Sequence, residues 1–93
     1  MTYGFFVHHD ADNVGVAVVD IEKGQAYKGW LMETDGSVEV VAAGNIPLGH
    51  KIALAPVATG EKVIKYGYPI GKAVQPIAKG EHVHSHNLKS LRW

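Results

Sequence analysis

Residues 56–63 read PVATGEKV, and twenty residues further on, at 76–83, the chain reads PIAKGEHV. Each copy has an apolar residue, a short polar turn that ends in glycine, and the start of a new strand-like run. Glycine suits a turn position that needs a positive φ. A fainter relative, DIEKGQ at 20–25, is interpreted as ordinary reuse of such turns. The two full copies predict a fold built from similar loops, and they are too few for a solenoid.

Outward from this repeat, the sequence is typical of short strands separated by turns. Eleven glycines and four prolines divide runs rich in Val, Ile and Tyr. These runs predict strands at 3–9, 14–19, 25–34 and 37–43. Asp35-Gly36 is a strong signal for a two-residue hairpin turn, and counting outward from it pairs Leu31 with Val40. Helical periodicity is weak throughout, and the best candidate lies near residues 88–91.

The composition excludes several classes of protein. With 93 residues, the chain is expected to form one small domain spanning 1–93. Nine basic and nine acidic residues balance, which argues against the basic face that a nucleic acid or an anionic membrane requires. The absence of cysteine excludes disulfides and thiolate metal ligands. Because no signal peptide or membrane span is recognisable, we expect a cytoplasmic location.

The segment 80–87, GEHVHSHN, carries the richest chemistry. If it is a strand, its side chains alternate between faces, so His82, His84 and His86 lie on one side. Three imidazoles offer metal ligands, proton carriers and, once protonated, anion-binding groups near physiological pH. The residues alone leave two other interpretations open, namely a solvated edge of the sheet and a pH-sensitive contact.

Three further residues are outer candidates for a binding site. Lys51 and Lys65 are point charges that suit a carboxylate or a sulfonate. His50 follows Gly49 beside a predicted turn, where a histidine is more often a surface residue. We therefore place His50 fourth among the histidines.

Other notable residues favour structural roles or contacts with a partner. His8 and His9 point to opposite faces of a predicted strand, so at most one of them belongs to a common site. Residues 12–13, Asp-Asn, are typical of turn caps. Trp30 and Trp93 are candidate anchors for a partner, because large amphipathic rings suit interfaces. Burial in the core is an equal alternative for Trp30.

The order of the motifs gives the chain a family resemblance. They are DNVGVAV at 12–18, IPLGHKIAL at 46–54, GEKVIKYG at 60–67 and GEHVHSHN at 80–87. From about His8 to Asn87, the chain resembles the SAF domain of the altronate and galactarate dehydratases, which is an N-terminal domain or a separate small subunit. Each motif alone would be weak, but the combination is specific. The Trp30 hairpin and the ending at 89–93 look more like the small subunit of sulfolactate sulfo-lyase than like the compact altronate version.

The resemblance implies a mostly β, small single-domain SAF-type β-clip fold with little or no helix. It also implies a lyase that removes the proton next to a carboxylate and expels water or sulfite, giving a 2-keto acid. A divalent metal such as iron would act as a Lewis acid and would be held mainly by a partner. The chain would then be a small subunit, inactive without a large catalytic subunit, and the substrate a small hydroxy acid.

In that setting the candidate residues take specific roles. The catalytic candidates are His82, His84 and His86, and the substrate-binding candidates are His50, Lys51 and Lys65. His84 and His86 are also candidate metal ligands. Two non-catalytic alternatives stay open, which are a module that binds an anion or sugar acid and a structural lid on a partner.

Overall fold

The chain folds as β structure. The computed structural model describes residues 3–90, which contain nine strands and no helix. The strands are β1 (Phe5–Val7), β2 (Val14–Ala17), β3 (Ala26–Leu31), β4 (Gly36–Val41), β5 (Lys51–Ala53), β6 (Lys62–Lys65), β7 (Tyr68–Ala73), β8 (His82–Val83) and β9 (Leu88–Ser90). The prediction of a mostly β SAF-type fold with little or no helix is confirmed. Within 3–90, no helix is long and apolar enough to cross a membrane.

The strands form two sheets, and the buried apolar side chains form two clusters. The larger sheet has the order β4-β3-β1-β2-β5-β8, and the smaller one has the order β6-β7-β9. In the larger sheet only β1 and β3 run parallel. One cluster surrounds Phe5 and Ile52, and a second joins Val14 and Val83 of the larger sheet to Val63 of the smaller sheet. Burial of Val83 therefore fixes β8 at the edge of the larger sheet.

The glycine-ended turn occurs four times in the structure. Its glycines all have φ of 87° or 88°, a conformation that L side chains rarely adopt. They are Gly24, Gly49, Gly60 and Gly80. Segment 20–25 therefore uses the same turn as the two full copies, and the copy at 45–50 was missed because proline and leucine replace its polar turn residues.

The four turns associate two by two. Ile21 bridges to Ile46 through two backbone hydrogen bonds of 2.8 and 2.9 Å. Val57 bridges to Ile77 in the same way, through two bonds of 2.8 Å. All four side chains are buried. Each pair of turns therefore forms a small corner that buries its apolar residues and leads the chain into the next strand.

The turn at Gly80 is the most tightly enclosed of the four. A Cβ on Gly80 would lie 2.2 Å from the Val41 carbonyl oxygen, whereas a Cβ on any of the other three turn glycines would meet nothing within 4 Å. The Gly80 carbonyl also accepts a hydrogen bond from the Ala43 N–H, at 2.9 Å. This turn is thus fixed against the larger sheet immediately before the histidine segment.

The β3–β4 hairpin has a different register from the predicted one. Leu31 pairs with Gly36, so the loop has four residues, 32–35, and Asp35-Gly36 is not a two-residue turn. Only Asp35 takes a positive φ, at 58°, which matches a longer hairpin loop. Trp30 Nε1 donates a 2.9 Å hydrogen bond to Asp35 Oδ1 and so helps to close the loop.

The weak helical periodicity near the end of the chain was also misleading. Residues Leu88–Ser90 form strand β9, which pairs with β7. Leu88 packs against the second apolar cluster. Leu91 lies outside the described residues.

Candidate functional site

The segment 80–87 is a strand only at His82–Val83, after which the chain turns. The cause is Asn87, whose side chain is fully buried. Its Oδ1 accepts a hydrogen bond from the His84 N–H at 3.0 Å, and its Nδ2 donates to the His82 carbonyl at 2.8 Å. These bonds satisfy backbone groups that a continuing strand would pair with a neighbour. The predicted strand alternation therefore fails beyond Val83.

The turn nevertheless keeps the three imidazoles together and adds a fourth. The ring centroids of His82 and His84 are 5.4 Å apart with nearly parallel planes, and those of His82 and His86 are also 5.4 Å apart. His50 lies 4.5 Å from His84 and 5.0 Å from His82. We call these four residues the histidine cluster. His84 and His86 are exposed, whereas His50 and His82 are partly buried.

Strand pairing explains why His50 belongs to the histidine cluster. Strand β5 pairs with β8 so that Lys51 lies opposite Val83 and Ile52 opposite His82. Continuing this register by one pair places His50 opposite His84. Nδ1 of His50 and Nε2 of His82 are 2.9 Å apart, so one ring donates a hydrogen bond to the other. His50 is thus more central than its fourth place in the sequence ranking suggested.

Burial lowers the pKa of His82 below the usual 6.5. The neighbouring imidazoles of His50, His84 and His86 lower this pKa further, and so does the ammonium group of Lys51. His82 is therefore mainly neutral at pH 7, where an imidazole can accept a proton or bind a metal. Because these groups are all potential cations, this edge of the sheet favours an anionic ligand.

The two candidate lysines influence the histidine cluster through their charges. The pKa of Lys51 is lowered by burial and then by the charge of Lys65. Lys65 Nζ lies 5.1 Å from the centre of the Tyr66 ring. The charge of Lys51 therefore acts on His82, and the charge of Lys65 acts on Lys51.

Three members of the histidine cluster present nitrogen atoms that fit a metal ion. Among the described residues, His50, His82 and His84 offer ligand atoms that all lie within 4.8 Å of one another. Imidazole nitrogens suit iron, zinc, cobalt or nickel, whereas magnesium and calcium prefer oxygen ligands. The predicted pair of ligands was His84 and His86. The structure instead groups His84 with His50 and His82.

His82 also lines an open groove of about 770 Å³. The first pair of turns supplies the other walls, through residues 20–23 and 45–47. Asp20 is part of this wall, and its Oδ1 accepts a 2.9 Å hydrogen bond from the Leu48 N–H. The groove gives a small molecule access to His82, and the other three members of the histidine cluster do not line it.

The remaining two histidines belong to a different part of the surface. The His8 ring lies 4.2 Å from the Tyr66 ring, with His8 Nε2 3.3 Å from the Tyr66 hydroxyl. His9 Nε2 lies 3.8 Å from the Glu33 carboxylate. His8 and His9 are adjacent in the sequence, but their side chains contact different residues. Both serve as controls for the histidine cluster.

Asp12 and Asn13 hold turns together, as their residue types predicted. The Asp12 carboxylate is buried and accepts hydrogen bonds from the backbone N–H groups of His9, Tyr66 and Gly67, at 2.8 to 3.2 Å. The Asn13 side chain accepts a 2.8 Å bond from the Ile64 N–H. These contacts join the loop after β1 to the β6–β7 hairpin.

Trp30 belongs to a partly buried aromatic group and not to the main core. Its ring packs edge-on against Phe6 at 5.4 Å and stacks on Tyr3 at 6.2 Å. Its neighbour Gly29 faces the other side of the sheet, under the Phe5 ring. This placement suits a partner-binding role for Trp30. Trp93 lies outside the described residues.

The chain is similar to known lyase components. A family model for the altronate/galactarate dehydratase SAF domain matches residues 3–91. The (2R)-sulfolactate sulfo-lyase subunit alpha of Chromohalobacter salexigens is 50% identical over 90 residues, covering 95% of this chain and 96% of the relative. The subunit alpha of Paracoccus pantotrophus is 48% identical over 54 residues, covering 58% of this chain and 81% of the relative.

The match to altronate dehydratases covers most of this chain but only a small part of those enzymes. The Bacillus subtilis altronate dehydratase is 40% identical over 86 residues, which cover 92% of this chain but only 16% of the relative. The chain therefore spans a small part of that enzyme and nearly the whole of the sulfo-lyase subunit.

Proposed function

Because this chain belongs to the altronate/galactarate dehydratase SAF-domain family, we propose that it is the small subunit of a lyase whose main catalytic residues lie on a larger partner chain. The observation that carries the proposal is the match of nearly full length to a sulfo-lyase subunit alpha. Residues 1–93 would act as one SAF-type domain in the cytoplasm. Neither nucleic acid nor a membrane is part of this proposal.

The first candidate reaction is the elimination of sulfite from (2R)-sulfolactate. A base removes the proton from the carbon next to the carboxylate, and sulfite leaves with the electron pair of the C–S bond. The resulting enol gains a proton on its terminal carbon and loses its hydroxyl proton, which gives pyruvate, a 2-keto acid. In the dehydratase alternative, hydroxide leaves from a sugar acid and needs an acid to protonate it.

The residues of this chain fit parts of that chemistry. His82 is mainly neutral at pH 7 and can accept a proton, while the exposed rings of His84 and His86 can donate or relay one. Lys51, whose charge acts on His82, would attract the carboxylate or sulfonate together with Lys65. His50 would bind the substrate or position His82.

A divalent metal such as iron is part of the proposal for the whole enzyme. When bound, it supplies a Lewis acid that stabilises negative charge on the enolate oxygens. The nitrogen atoms of His50, His82 and His84 have the donor type that suits such an ion. The resemblance assigns the ion mainly to the partner, where further ligands would come from the larger chain.

The test is a reconstitution assay with three substrates. The chain is assayed alone and together with a large subunit of the same family, using (2R)-sulfolactate, altronate and galactarate. We expect negligible turnover by the chain alone and release of sulfite and pyruvate by the pair. Robust turnover by the isolated chain, or no turnover of any of the three substrates by the assembled pair, contradicts the proposal.

A second candidate function is anion binding without chemistry. It is favoured by the clustering of four imidazoles within the range of the Lys51 charge, since all of these groups are potential cations. Titration of the isolated chain with sulfolactate and galactarate distinguishes the two functions. Firm binding by the isolated chain, combined with no turnover by the assembled pair, supports the binding module.

A further inference from the structure

His50, His82 and His84 are brought together by two separate parts of the chain. His50 follows the turn at Gly49, and His82 and His84 lie in and after strand β8. One nitrogen from each ring lies within 4.8 Å of the other two. We call this set the three-imidazole site.

We propose that the three-imidazole site binds one divalent transition-metal ion on this chain itself, with zinc, iron, cobalt and nickel as the fitting metals. The proposal rests on the proposed function and deepens it. It assigns metal ligands to the small subunit, whereas the family resemblance assigns the metal mainly to the larger chain. The metal would then lie in a substrate site to which both subunits contribute residues.

The backbone of each ligand residue is fixed before any metal binds. The His50 N–H donates to the Pro47 carbonyl at 3.0 Å, and its carbonyl accepts from the Ala17 N–H at 2.8 Å. His82 lies in the β5–β8 ladder, and the His84 N–H donates to the Asn87 side chain. Residues held in this way lose little backbone freedom when they coordinate an ion, which favours binding.

The donor set points to a particular class of metal. All three ligand atoms in the described residues are imidazole nitrogens, and the chain has no cysteine. Nitrogen donors favour the later divalent transition metals over magnesium and calcium. The short His50–His82 contact shows that at least one nitrogen pair already approaches to 2.9 Å.

The number of ligands points to an open coordination sphere. Structural zinc sites are closed by four protein ligands, whereas catalytic sites use three and leave a position for water or substrate. The partly buried His82 also lines an open groove, so a small molecule can reach this ligand. The charge of Lys51 acts on His82 and would balance the charge of a bound carboxylate.

The experiment uses the full 93-residue chain and reads metal binding without turnover. Zinc chloride is titrated by calorimetry, and cobalt chloride is titrated by visible absorption, which reports the coordination of the ion. We expect one saturable site. H50A, H82A and H84A should each weaken binding more than about tenfold, since the loss of even an outer partner of a metal ligand has that effect.

Two matched substitutions act as controls. H8A and H9A remove imidazoles whose contacts are with Tyr66 and Glu33, and both should leave the affinity unchanged. H86A removes the fourth ring of the histidine cluster and should change the affinity less than H84A does. Circular dichroism checks the fold of each variant, and H50Q and H84Q replace any alanine variant that does not fold.

Three outcomes overturn the inference. They are the absence of saturable binding by the wild-type chain, unchanged affinity in all three ligand variants, and equal losses in H9A and H84A. The lyase proposal fails by a different measurement, because a chain that binds the metal normally can still fail to support turnover with a large subunit. Conversely, turnover by the assembled pair with no metal binding by this chain would overturn only the three-imidazole site.

Discussion

His50 and His82 are separated by 32 positions in the sequence, yet Nδ1 of His50 lies 2.9 Å from Nε2 of His82. The contact arises because β5 and β8 are neighbours in the larger sheet. The chemistry proposed for this chain therefore depends on long-range pairing, and not on the histidine segment alone.

Alanine at His82, His84 or His86 should lower kcat of the assembled enzyme while leaving assembly intact. A general acid or base typically contributes about a hundredfold or more to the rate. Steady-state kinetics on the reconstituted pair measures the effect, and gel filtration measures assembly. H8A, with its ring on Tyr66, serves as the control. Lost assembly with nearly unchanged kcat would indicate a structural lid.

Acidification should destabilise the wild-type chain more than the variant H82N. Because the folded-state pKa of His82 is lowered from 6.5, the unfolded chain binds this proton more readily. The free energy of unfolding should therefore fall as the pH drops below about 6.5, and the effect should vanish above that pH, where His82 is neutral in both states. Urea unfolding with a metal chelator present measures both proteins.

The charges that lower the pKa of His82 are those of His50, His84, His86 and Lys51, and Asp20, Glu22 and Lys23 line the same groove as His82, so these groups contribute to the same pH dependence. The comparison with H82N isolates the contribution of His82 to the pH dependence of the free energy of unfolding. H9N is the control, since its imidazole lies beside Glu33. Identical pH dependence in the wild type and H82N would contradict the prediction.

N87A should lower the free energy of unfolding by about 1–3 kcal/mol, because it leaves partly buried backbone groups at His82 and His84 without their partner. Urea unfolding measures the loss. Q75A, at an exposed position, is the control and should stay within about 0.5 kcal/mol of the wild type. A change in N87A as small as that of the control would show that the turn does not depend on this side chain.

G29A should destabilise the fold through a steric clash. A Cβ at this position would lie 2.0 Å from a carbon atom of the Phe5 ring, which is fully buried. Overpacking of this kind costs about 1–3 kcal/mol. G44A is a matched control, because a Cβ at Gly44 meets nothing within 4 Å. Thermal unfolding of both variants measures the difference, and equal melting temperatures would contradict the packing of Phe5 on Gly29.

W30A should weaken association with the large subunit by about thirtyfold or more, which is the size of an interface hot spot. Its ring packs against the rings of Tyr3 and Phe6, outside the main core. Calorimetric titration with the large subunit measures the affinity. Y68A removes a more exposed ring, 74% exposed on β7, and should change the affinity little. Unchanged affinity in W30A would remove Trp30 from the interface.

Local sequence patterns were sufficient for the β class and for the grouping of the three segment histidines. They were not sufficient for the way these residues meet. The alternation argument assumed a strand through His86, but the buried Asn87 side chain ends the strand at Val83. Asparagine gave no periodic signal of its own, because its effect depends on burial in a position that only the folded chain defines.

The position of His50 could not be predicted for a related reason. Its neighbours in the sequence place it after a turn, but its neighbours in space come from the β5–β8 register. The hairpin register failed because a two-residue and a four-residue loop both accept Asp35 in the left-handed region. Long-range pairing and loop length are therefore the features that this sequence did not reveal.

The enclosed glycine at position 80 limits how this chain can diverge. Insertions at the corners around Gly24 and Gly60 would extend into solvent, whereas any added atom at Gly80 would meet the Val41 carbonyl. Lengthening that corner would also displace the histidine segment that begins two residues later. Evolutionary drift and protein engineering should therefore change this molecule most readily at the Gly24 and Gly60 corners, while conserving the corners at Gly49 and Gly80 that lead the chain into its imidazoles.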